Sequence, residues 1–163
     1  MPRTRTEPVT LSEAATQALP QVDFSDCFAT TNHHNTLEEI AKLVFDNTPS
    51  WVRALFRLRN KLASLVGLKS TIPPDYNTEF RVGGYISFFK LYSIAEQELI
   101  MGANDTHLNF RAIITNTREA EFNIKLTTLV QYNNRLGKVY MAIVRPFHVI
   151  VVKRMLAQAH RAL

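Results

Sequence analysis

The chain has 163 residues, an ordinary single-domain length, and a domain of that size buries about 68–70% of the surface of its unfolded chain. Nineteen Lys and Arg against 14 Asp and Glu give a net charge of +5, which allows weak attraction to anionic surfaces but not the dense basic patch that nucleic-acid binding requires. A lone Cys27 excludes an intramolecular disulfide, no signal-like apolar run follows Arg3 and Arg5, and Arg145, Pro146 and His148 interrupt the most apolar stretch, so a cytoplasmic protein without a membrane span is expected.

Residues 1–19 are expected to form a flexible N-terminal tail: 1–9 lack any period, and Ser12 caps a short turn before Pro20 resets the chain. A single domain then spans 20–163. Alternation over 22–28 predicts a first strand. Thr36 and Glu39 form an S/T-x-x-E capping box that opens a helix running to Phe45, with Leu37, Ile40, Ala41, Val44 and Phe45 on its apolar side. Ser50 is the expected cap of a second helix over 51–66, whose leucines recur at three and four residues. Arg53, Arg57 and Lys61 line its other side, where a solvated face and an anion or partner site both fit.

Pro73, Pro74, Asn77 and the Gly83-Gly84 pair make 69–84 a loop. From Tyr85 the period changes to two. Segments 86–93, 97–103, 107–115 and 121–131 are rich in aromatic and β-branched residues and separated by turn residues, the pattern of an antiparallel meander. Leu108, Phe110, Ala112 and Ile114 share one strand face, as do Phe122, Ile124, Leu126, Thr128 and Val130.

The stretch 135–163 predicts a long helix kinked at Pro146, which removes the donor for the Ala142 carbonyl. At 100° per residue Tyr140, Ile143, Phe147, Ile150 and Val151 fall on one face, the face expected to cover the sheet. The fold class is therefore α+β, a curved antiparallel sheet packed on a long C-terminal helix, with the helices on one side of the sheet.

Three segments carry a family resemblance: Trp51 to Leu62 (WVRALFRLRNKL), Asn104 to Arg111 (NDTHLNFR) and Asn133 to Val152 (NNRLGKVYMAIVRPFHVIVV). Together they resemble the bacterial domain-of-unknown-function family DUF2867, and the layout is similar to the START-like (SRPBCC, helix-grip) superfamily. The resemblance implies an apolar cavity between sheet and last helix, and a small apolar or amphipathic ligand within it. Similar domains are sometimes fused to nucleotide-sugar-epimerase-like oxidoreductase domains, which implies a protein partner or a substrate-handling role. Val149 stands where a basic residue is expected after the histidine.

In a regular strand Asp105, His107, Asn109 and Arg111 project to one face, which is either a ligand-orienting row or the solvent side. His148, two residues past Pro146, fits a hydrogen bond to the frayed turn, an acid/base role, or plain surface. His33 and His34 are adjacent and no H-x-x-x-H, H-E-x-x-H or C-x-x-C occurs, so no metal is expected. Without G-x-S-x-G, G-x-G-x-x-G or a P-loop, neither a cofactor nor a catalytic motif is recognised. Two classes remain. One is a noncatalytic module binding through His107, Asn109, Arg111, Tyr140, Ile143, Phe147 and His148; the other is an enzyme using the same cavity with a histidine acid/base.

Overall fold

The computed structural model describes residues 3–46 and 73–161, together with Ser50, Arg53, Ala54, Arg57, Asn60, Lys61 and Ser64 between them. Its elements are β1 (Arg5–Thr6), α1 (Glu13–Thr16), β2 (Phe24–Thr30), α2 (Leu37–Phe45), β3 (Tyr85–Ile86), β4 (Phe89–Ile94), β5 (Glu98–Asn104), β6 (Leu108–Asn116), β7 (Ile124–Tyr132) and α3 (Arg135–Ala157). One seven-stranded sheet has the order β1-β2-β7-β6-β5-β4-β3, with every described pairing antiparallel. The architecture is thus α+β, an antiparallel sheet with a long C-terminal helix.

Local chemistry sets the elements where it was expected to. Thr36 Oγ1 accepts from the Glu39 amide at 3.2 Å while the Glu39 carboxylate accepts from the Thr36 amide at 2.8 Å, closing the capping box of α2. Of the expected second helix, Arg53, Arg57 and Lys61 are helical and exposed, whereas its leucines lie outside the described residues.

Alternation divides the sheet into two faces. Phe28, Leu91, Leu99, Met101, Ile114, Ile124 and Leu126 form the larger core with Ile40, Val44 and Phe45 of α2 and Val152, Met155 and Leu156 of α3. The other face is also covered: Ile100, Ile113 and Leu129 are buried beneath Ala15 and Leu19, with Leu11 and Ala18 packed alongside. The helical elements therefore do not all lie on one side, because Ile100, Ile113 and Leu129 give the second face an apolar centre that α1 and its flanks bury.

Residues of the expected tail do this covering. Arg5 and Thr6 pair with Ala29 and Phe28, the Glu7 amide donates to the Cys27 carbonyl at 2.9 Å, and Ser12 Oγ donates to Glu98 Oε1 at 2.7 Å. An aperiodic polar segment needs only backbone pairing and a few small apolar side chains to dock on a sheet.

Helix α3 is seated at both ends by asparagines. At its start Asn134 caps the helix, its side chain accepting from the Gly137 amide at 3.1 Å and donating to the Thr106 carbonyl at 3.2 Å. Asn133 donates from its side chain to the Asp105 carbonyl at 2.8 Å and to Asn109 Oδ1 at 3.0 Å. Just past the helix, Asn32 Nδ2 donates to the Ala159 carbonyl at 2.7 Å and the Arg161 amide to the Thr31 carbonyl at 2.8 Å.

The helix is rotated about its axis relative to the expected face. Gly137, Met141, Val152, Met155 and Leu156 are buried, while Ile143, Phe147 and Ile150 are 65%, 56% and 54% exposed. The reason is steric: a Cβ at position 137 would overlap the His107 carbonyl oxygen, so glycine is what lets this side of the helix approach the β5–β6 hairpin. The backbone remains helical through Pro146, and Ala142 and Pro146 are both on the exposed side, where water can solvate the carbonyl that proline leaves without a donor.

Replacing Gly137 with Ala should therefore destabilise the fold by about 1–3 kcal/mol through overpacking against backbone, although alanine is the better helix former. Urea unfolding measures this, and an unchanged or raised midpoint would contradict the docking described.

Candidate functional site

The residues singled out in the sequence separate into four places. His107 lies in the bend between β5 and β6 rather than in the strand, which starts at Leu108. It is 1% exposed, its ring stands edge-on to Tyr140 at 5.1 Å, and its Nδ1 is 3.6 Å from the Asp105 carboxylate. Tyr140 is half-buried beside Leu108, Val130 and Met141.

Asn109 and Arg111 belong to the opposite face of the sheet, so the expected single polar row is divided by the turn at His107. Asn109 is engaged by Asn133. Arg111 is 6% exposed, its guanidinium 3.9 Å above the Tyr92 ring and donating to the Phe110 carbonyl at 2.8 Å. Tyr92 is the extra residue of a bulge, since Leu91 pairs with Met101 and Ser93 with Ile100. Burial pushes the guanidinium pKa down, and the ring face offsets part of that desolvation.

His148 looks into the seam between α3 and the sheet. Its Nε2 is 3.2 Å from Asp26 Oδ2, both side chains being mostly buried at 17% and 16% exposure. Phe24 meets the imidazole edge-on at 5.8 Å, and the Arg145 guanidinium lies 5.2 Å from the centre of the Phe24 ring. Asp26 faces α3 because it shares one face of β2 with Phe24 and Phe28, and Thr128 of β7 stands opposite it. A carboxylate so placed can orient the imidazole. This pairing joins residues 122 positions apart, and the alternation of 22–26 was its only trace in the sequence.

Ile143 and Phe147 are on the outside. With Leu136, Val139 and Ile150 they form one line of large apolar side chains, each 42–65% exposed, along roughly 21 Å of helix. Ala142 and Pro146 are exposed beside them. Arg135 and Arg154 stand at the two ends of the line, Lys153 beside Arg154 holds its ammonium 5.3 Å from the centre of the Phe28 ring, and no Asp or Glu occurs in 135–157. At the second end an open groove of about 350 Å³ is lined by Arg3, Thr4, Ile150, Lys153, Arg154 and Ala157. A second depression, of about 440 Å³, mixes charges, its lining being Asn35, Glu39, Lys42, Leu43, Asp46 and Arg161.

Among the described residues no three of His, Cys, Asp and Glu are grouped to hold a metal ion, and no helix is long and apolar enough to cross a membrane. Cys27 is 2% exposed, and burial raises its thiol pKa.

What these features define is an α+β domain whose long terminal helix turns an apolar line outward and a histidine–aspartate pair inward. The description "Protein of unknown function (DUF2867)" matches residues 18–155, and the chain belongs to the DUF2867 family. No curated protein matches the chain, and no solved structure matches it. The matched span starts after β1 and α1, so most of the segment covering the second sheet face precedes it.

The Cys27 thiol should be inert in the folded protein. Titration with a thiol-reactive disulfide reagent at neutral pH should give no fast reaction and then one equivalent once denaturant is added; rapid native labelling would refute the burial.

Proposed function

We propose that this domain is a noncatalytic binding module whose ligand or partner, apolar or amphipathic, lies along the outer face of α3. The observation that carries the reading is the line Leu136, Val139, Ile143, Phe147 and Ile150, held in the open on a helix fixed at both ends. Single exposed apolar residues are common on soluble proteins, but a continuous row of five rimmed by charge is a binding feature. The helix-grip kinship belongs to the same reading and is supported by the long terminal helix over an antiparallel sheet. Phe28, Leu126, Val152, Met155 and Leu156 fill the seam near the helix end, which favours an occupant outside the core over one inside it.

A second reading places a small ligand, or acid/base chemistry, in the seam at His148. The Asp26 carboxylate at 3.2 Å favours it, because it supplies the orienting partner that a catalytic histidine needs.

Titration with an anionic apolar dye separates the two. Wild type should bind saturably, Phe147→Glu should weaken binding by about tenfold while changing stability by no more than about 0.5 kcal/mol, and His148→Gln should bind as wild type. Loss with His148→Gln and retention with Phe147→Glu would favour the seam. Absence of saturable binding would overturn the outer-face reading.

A further inference from the structure

We infer that the outer face of α3 seats the protein on an anionic lipid bilayer surface, with the apolar line entering the acyl boundary and the flanking cations at phosphate level. This rests on the outer face being a binding surface and names what occupies it. Charge complementarity points to the occupant. Arg135 and Arg154 stand at the two ends of the line, no Asp or Glu occurs on the helix, and Arg3 and Lys153 line the groove at the far end. An apolar helix face with Lys and Arg beside it is the composition that binds at a membrane interface, through apolar burial together with attraction to anionic headgroups.

The alternatives fit less well. A second copy of the chain, packed helix to helix, would set these cations against an identical set with no carboxylate on either helix to answer them. A partner helix seeks a groove, whereas Ala142 and Pro146, beside the line, are exposed like the line itself, so the line runs along a crest. A crest suits a planar, deformable surface. Long basic side chains at both ends can extend along the headgroups while Leu136, Val139, Ile143, Phe147 and Ile150 point inward.

The test is co-sedimentation of the full chain with phosphatidylcholine vesicles, with and without phosphatidylglycerol. Wild type should sediment with the mixed vesicles only, and less so as salt is raised. Ile143→Glu with Phe147→Glu should abolish sedimentation, Arg135→Gln and Arg154→Gln should each weaken it about fivefold, and Phe88→Glu, at a 79% exposed apolar residue elsewhere, should leave it unchanged. Circular dichroism melts confirm that each variant is folded.

Absence of sedimentation overturns the inference, as does equal sedimentation of the Ile143→Glu, Phe147→Glu variant. So would light scattering showing a dimer that this variant dissolves, binding of an acidic amphipathic peptide in place of vesicles, or crosslinks showing residues 51–66 seated on the line. Dye binding sensitive to Phe147→Glu without vesicle binding would remove the lipid surface and keep the binding face. Failure of both measurements would remove the binding face itself.

Discussion

The seating of α3 on the β5–β6 hairpin decides how the rest of the molecule is presented. Asn133 and Asn134 hold the hairpin carbonyls of Asp105 and Thr106, and Gly137 meets the His107 backbone at a distance only glycine permits. A helix is a rigid rod, so fixing the rotation of its first turn fixes it along the whole length. The Asn32 and Thr31 contacts to Ala159 and Arg161 hold the far end. Two apolar arcs compete on this helix, one containing Ile143, Phe147 and Ile150 and the other Met141, Val152 and Met155. The seating turns the second inward and leaves the first exposed.

Hydrophobicity alone would have chosen the arc with the larger β-branched and aromatic side chains. That the smaller, softer arc is buried shows directional hydrogen bonds and close backbone approach overriding side-chain transfer energy at this interface. The asparagine bonds satisfy carbonyls in a turn and amides at a helix start, groups that are costly to leave without partners once the helix has docked. Methionine suits the buried arc because its unbranched side chain adapts to the uneven space between a helix and a twisted sheet.

Polar groups enter the seam under the same constraint. Asp26 faces the helix because β2 alternates, and His148 faces Asp26 because the helix is rotated as Gly137 requires. A mostly buried polar pair is weak evidence of stability, since desolvation opposes the attraction, and leaving one partner alone costs its unmet hydrogen bonding. On the far face Arg111 is accommodated differently, by the bulged Tyr92 ring and by strand carbonyls. Both sites place a polar group at an aromatic surface inside an otherwise apolar layer.

Short-range chemistry was legible in the sequence. The Thr36–Glu39 capping box, the change of period at Tyr85, the antiparallel strands and their faces, except that the last strand starts at Ile124 and leaves Phe122 in a bend at positive φ, and the long last helix all rest on contacts within a few residues or on strict alternation. The motif around Asn104 to Arg111 and the one around Asn133 to Val152 were visible as a pair, and the structure gives their physical link: one supplies the hairpin, the other the asparagines that grip it. Tertiary structure alone decided the rotation of the helix, the division of His107 from Asn109 and Arg111, the pairing of His148 with Asp26, and the docking of the first residues on the second sheet face. Each of these depends on groups far apart in the chain meeting within a few ångströms, and a helical wheel with two apolar arcs contains no term that says which will meet the sheet.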